Sequence, residues 1–134
     1  MAVDYGDAHT GIAVSDALGV IAGEAWTIDE RNPELLSEKI AVEVRSREIG
    51  TIVLGCPLNM NGTAGPRAEK SMEFSALLRE KTGLEPVMWD ERLTTVDAHR
   101  ILSDNDRHGK RRKKTVDAVA ATLILEGYLR STQI

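Results

Sequence analysis

The sequence predicts an α/β fold, with a mixed five-stranded sheet and helices on both of its faces. Three observations carry that expectation. The first third of the chain is built of short apolar runs broken by Gly-punctuated turns. From Asn32 onward the apolar period lengthens from two to about four. Two compact runs, 51–55 and 86–89, then alternate with helical stretches.

Element by element, Met1–Tyr5 reads as a strand, apolar up to Asp4, with Gly6 and Gly11 marking a turn. Ile12–Ser15 resumes a strand, Asp16–Gly19 turns, and Val20–Ile28 is a third strand, so the opening is an antiparallel meander. Asn32-Pro33 starts a helix, with Asn as N-cap and Pro at the first helical position. Leu36, Ile40 and Val44 recur every fourth residue and Gly50 supplies a stop. Thr51–Gly55 is short and rich in β-branched residues, the pattern of a buried parallel strand. After a polar loop with an Asn61-Gly62 turn, a second helix runs from Pro66 to Gly83 with Ala68, Met72, Ala76 and Leu77 turned inward. Pro86–Trp89 is a further strand running into Asp90-Glu91. Thr94 or Thr95 caps a helix reaching about Ser103, and Val116–Leu129 is a last, strongly apolar helix. Neither a repeat nor a linker divides residues 1–134, so one domain is expected.

Composition narrows the function classes. No apolar run is long enough to span a bilayer, and the start of the chain lacks the basic-then-apolar order of a secretory signal. Cys56 is the one cysteine, which leaves no internal disulfide and fits a reducing, cytoplasmic setting. The net charge of −4 argues at first against nucleic acid, but the charge is unevenly spread. The eight residues Arg107–Lys114 hold six of the 17 Lys and Arg, the composition of either a solvated segment or a phosphate-binding one.

Three acids stand where acids are least expected. Asp4 closes the first strand, expected to be central; Glu91 closes a later apolar strand; Asp117 lies in the first turn of the most hydrophobic helix. A carboxylate beside a core loses hydration unless a cation or hydrogen-bond donors compensate it. Oxygen ligands of this kind suit Mg²⁺ or Mn²⁺, which also accept phosphate oxygens, and such ions catalyse phosphodiester cleavage. Taken singly, each acid has a plainer explanation: a turn for Asp4, an ion pair for Glu91, helix-dipole complementation for Asp117.

The ordered motifs settle between these. Asp4-Tyr5-Gly6 with Gly11 and Gly19, then Gly55-Cys56-Pro57-Leu58-Asn59-Met60-Asn61-Gly62, then Gly65-Pro66-Arg67-Ala68-Glu69, then Asp90-Glu91-Arg92-Leu93-Thr94-Thr95, and finally Lys113-Lys114-Thr115-Val116-Asp117 before Ala118-Val119-Ala120-Ala121, run nearly end to end. Together they closely resemble the YqgF/RuvX family, described as Holliday junction resolvases and as pre-16S ribosomal RNA nucleases. The resemblance implies a ribonuclease H-like fold and a catalytic, metal-binding triad at Asp4, Glu91 and Asp117, and it favours Glu91 over Asp90. It implies a mobile basic loop before Asp117, with Lys110, Arg111, Arg112, Lys113 and Lys114 on substrate phosphates, joined by Arg67 and Arg92. Two departures stand out: His9 where the family usually has a basic residue, with Asp7 where Ser or Thr is frequent, and a first strand that begins only three residues before Asp4, shorter than the family norm.

The expectation is therefore a Mg²⁺- or Mn²⁺-dependent nuclease on structured RNA or branched DNA, a monomer or homodimer. Processing of pre-16S rRNA at its 5′ end, with pre-ribosomal particles as partners, comes first. Resolution of Holliday junctions and a non-cutting nucleic-acid-binding assembly factor are the rivals. An actin-like phosphotransferase is disfavoured because the chain has no room for a second domain.

Overall fold

The computed structural model describes residues 1–16, 22–58, 61–90 and 109–132, and in the last helix the side chains from Ala118 onward. Five strands form one sheet: β1 (Ala2–Asp4), β2 (His9–Ser15), β3 (Ala22–Asp29), β4 (Val53–Cys56) and β5 (Val87–Asp90). Their spatial order is β3-β2-β1-β4-β5. The meander is antiparallel, with Ala2 opposite Ala13 and Asp4 opposite Gly11, whereas β4 runs parallel to β1 and β5 parallel to β4. The short β1 is thus central, as its apolar character predicts, and Ala2 and Val3 are wholly buried.

Strand alternation assigns the two faces. Val3, Ile12, Val14, Ile52 and Leu54 meet helices α1 (Pro33–Ser46) and α2 (Pro66–Thr82) through Leu36, Ile40, Val44, Phe74 and Leu78. Ala2, Ala13 and Val53 meet helix α3 (Gly109–Thr132) through Ala121, Ile124 and Leu125. The first face holds the large side chains, each worth roughly 1.5–3 kcal/mol when fully buried. The second is floored by alanines, which let α3 lie close to the sheet.

Helix α1 begins as its sequence requires. The Asn32 side chain accepts from the Glu34 and Leu35 amides at 2.9 and 3.2 Å, with Pro33 in the first turn. Asn32→Ala is expected to cost about 1 kcal/mol of stability, read as a lower urea midpoint at unchanged slope. The helix ends earlier than Gly50. Glu48 takes a positive φ of 54°, the Ile49 amide bonds the Val44 carbonyl at 2.9 Å and the Glu48 amide the Arg45 carbonyl at 3.3 Å. That is a Schellman closure with glutamate in the place usually taken by glycine, and it carries Ile49 back against the core.

Two other expectations change. The buried stripe of α2 is Ala68, Ser71, Phe74 and Leu78, while Met72 is 47% exposed and Ala76 faces solvent. A buried serine on the stripe hides its phase from a count of apolar residues, and Phe74 turns inward because it stacks on Tyr5, centroids 4.2 Å apart and planes within 4°. The last helix starts at Gly109 rather than Val116, so the backbone of residues 110–114 is helical and not a loop. Lysine and arginine lose little side-chain freedom in a helix, so a basic run extends one readily. The helix expected near 94–103 lies outside the described residues.

Candidate active site

Because β1, β4 and β5 are parallel, their carboxyl ends share one edge of the sheet, the edge at which open α/β sheets bind ligands. Asp4 ends β1 at this edge, half-buried. Alternation puts it on the same face as Ala2, the α3 face. Its cross-strand partner is Gly11, and the pairing of Val3 with Leu54 brings Gly55 alongside on the other flank. Asp4 is thus flanked on both neighbouring strands by residues without side chains.

On β5, Trp89 is fixed towards α3. Its ring meets Tyr128 edge-on at 6.3 Å, and a Cβ on Gly127 would come within 2.9 Å of the indole. Asp90 therefore alternates to the other side. Glu91 and Arg92, the next residues, lie outside the described residues. Asp117 belongs to the backbone of α3, four residues before the buried Ala121, the spacing that puts two positions on one helix stripe. It stands eight residues inside the helix, so helix-dipole complementation in a first turn does not account for it.

The direction of α3 follows from its contacts. Leu125, Tyr128 and Leu129 reach the opposite edge of the sheet, lining a cavity with Met1, Gly50 and Thr51. The N-terminal half of the helix therefore runs towards the edge that carries Asp4. Among the described residues no three His, Cys, Asp or Glu side chains cluster in a way that could hold a metal. Of the expected triad only the Asp4 side chain is described. Oxygen donors beside flanking glycines fit a hard divalent cation.

The turn after Asp4 is tightly built. The Gly6 amide donates to the hydroxyl of the fully buried Thr10 at 3.3 Å, and a Cβ on Gly6 would lie 2.2 Å from the His9 carbonyl oxygen. Thr10 shares its face with Ile12 and Val14, so its only sequence signal is a hydroxyl on an otherwise apolar stripe. His9, at the position where a basic residue was expected, is paired across the sheet, its Nδ1 2.6 Å from Asp29 Oδ1.

The first turns of α2 flank the same edge. Arg67 and Lys70 approach the Asp7 carboxylate at 3.9 and 3.5 Å, all of them largely exposed. Exposed pairs of this kind are weak, so both cations can exchange Asp7 for a phosphate at little cost. The Tyr5 hydroxyl has its pKa raised, first by burial and then by Asp7 and Glu73, and it stays protonated around neutral pH. The side chains of Lys110, Arg111, Arg112, Lys113 and Lys114 lie outside the described residues.

Comparison with known proteins matches residues 1–131 to the family model described as RuvX, Holliday junction resolvase. A protein of Clostridium botulinum (strain Hall) is 47% identical over 131 residues, covering 98% of this chain and 96% of the relative. One from Halalkalibacterium halodurans is 46% identical over 136 residues, covering 100% and 97%. One from Carboxydothermus hydrogenoformans is 43% identical over 129 residues, covering 96% and 94%. Each of the three carries the name "Putative pre-16S rRNA nuclease".

Proposed function

The chain belongs to the RuvX family, and from that membership we propose a divalent-metal-dependent nuclease whose substrate is pre-16S rRNA. The observation that carries this reading is the placement of Asp4. It ends the central strand at the ligand-binding edge, on the face that α3 covers, flanked by glycines.

Asp4, Glu91 and Asp117 would hold the cation, Mg²⁺ or Mn²⁺. A cation bound there supplies Lewis-acid activation of water and of the phosphodiester. Trp89 faces α3, which turns Asp90 of the same strand to the other face. Asp117 stands four positions before the buried Ala121 on the same helix, the spacing that supports assigning it to this site.

Lys110 and Lys114 precede Asp117 by seven and three residues, on that same stripe. The reading gives them, with Arg111, Arg112, Lys113, Arg67 and Arg92, the substrate phosphates. Replacing Lys110 and Lys114 together by alanine is expected to lower the slope of log binding constant against log salt by about two. An unchanged slope would remove the basic stretch from the substrate path. Among the described residues no helix is long and apolar enough to cross a membrane, in keeping with a cytoplasmic role on RNA.

The family model's description favours a second substrate, the four-way DNA junction. Cleavage of a precursor 16S fragment and of such a junction, side by side with Mg²⁺, Mn²⁺ or chelator, tests both. Metal-dependent product from the RNA is the expected outcome. Binding that survives chelation, with no product from either substrate, would instead make the protein a non-cutting assembly factor.

A further inference from the structure

We propose that a second cavity at this edge holds an unpaired nucleobase of the substrate strand, next to the nucleotide being cut. The cavity, about 500 Å³, is bounded by Tyr5, Asp7, Arg31, Lys70, Glu73 and Phe74, among others. Its size lies within the range of small-ligand pockets. The proposal rests on the nuclease reading for its substrate and on different residues for its argument.

Position comes first. Tyr5 follows Asp4 directly, so their Cα atoms are about 3.8 Å apart while their side chains leave on opposite faces of the sheet. A strand whose phosphate sits at Asp4 needs only to cross the sheet edge for a neighbouring base to reach Tyr5.

The wall of the cavity is aromatic and rigid. Phe74 is 1% exposed and lies parallel to Tyr5 at 4.2 Å, which holds the phenol ring in one plane before any ligand arrives. Stacking on a ring of this kind accepts any base, because every base has a π-face. The phenol hydroxyl supplies a hydrogen-bond donor for a base edge.

The charges select the ligand class. Arg31 and Lys70 line the cavity, and so do Asp7 and Glu73. Two carboxylates against two cations disfavour a free phosphate or a small polyanion, and suit an uncharged base inside with single phosphates at the rim. Lys70 is shared with Asp7, whereas Arg31 has no carboxylate partner among the described residues and is exposed. The Arg31 guanidinium at the mouth is therefore the contact for a flanking phosphate.

The test is fluorescence anisotropy in chelator on an RNA hairpin with a five-adenosine single-stranded extension, against the same hairpin with an abasic extension. The unsubstituted protein is expected to prefer the adenosine extension about tenfold. Tyr5→Leu should reduce that preference to below about twofold. Arg31→Ala should keep the preference, weaken binding to both RNAs and lower the salt slope by about one. Arg31 is exposed, so this variant decides the matter even if Tyr5→Leu fails to fold. No base preference in the unsubstituted protein, or an unchanged salt slope in Arg31→Ala, overturns the proposal. Cleavage of the same hairpins with added Mg²⁺ or Mn²⁺ separates the two readings. Cleavage without base preference sinks the cavity alone, and base preference without cleavage under either metal sinks the nuclease assignment alone.

Discussion

Asp4→Asn is expected to leave a folded protein that has lost metal-dependent cleavage by more than about a hundredfold. That figure is a floor, since changing residues that merely support a metal's ligands costs about 10–100-fold. The amide has the shape of the carboxylate, so the pairing of Asp4 with Gly11 and the packing of its neighbours Ala2 and Val3 are kept. The variant loses the negative charge and one strong acceptor oxygen, the two properties a hard divalent cation needs. Cleavage rates at saturating Mg²⁺ and Mn²⁺, with circular dichroism as the control for folding, measure both halves. Activity at the unsubstituted level would exclude Asp4 from the catalytic centre.

Gly6→Ala should damage stability and activity together, for a reason of backbone geometry alone. The new Cβ would lie 2.2 Å from the His9 carbonyl oxygen. That atom belongs to the backbone and cannot swing aside as a long side chain would. The turn between β1 and β2 must open, which breaks the hydrogen bond that the Gly6 amide donates to the Thr10 hydroxyl and moves the segment that positions Asp4. Overpacking of this kind costs about 1–3 kcal/mol, measurable by urea unfolding, and the cleavage rate should fall beyond what the unfolded fraction explains. Gly50→Ala is the matched control. Nothing lies within 4 Å of its Cβ, so it should be neutral or stabilise by up to about 1 kcal/mol. Equal effects from the two substitutions would show that the turn after Asp4 tolerates a side chain after all.

Features set by short stretches of chain were legible in the sequence. Asn32-Pro33 starts α1 because the cap and the fixed proline φ are local chemistry, and Gly83 closes α2 in the left-handed conformation with φ 76°. The pattern of apolar runs placed β1 at the centre and β4 as a buried parallel strand. Where the reading slipped, the deciding partner was remote or the signal ambiguous. The phase of α2 depends on Phe74 meeting Tyr5 from β1. The early start of α3 depends on basic residues that serve a helix as readily as a loop, and the closure of α1 used Glu48 where a glycine was sought.

The chain's own order of residues determined an α/β fold and the identity of its family through motifs spread from Asp4 to Asp117, and it singled out three acids as candidates for a metal. Only the tertiary structure decided that the side chains of Asp4 and Tyr5 leave on opposite faces of the sheet, that Thr10 braces the turn after them, and that Arg31 and Lys70 meet around the cavity beside it. The reason is physical. Capping, turns and periodicity act over a few residues, whereas convergence of side chains from separate elements depends on strand register and on which helix covers which face, and those emerge only when the whole core packs.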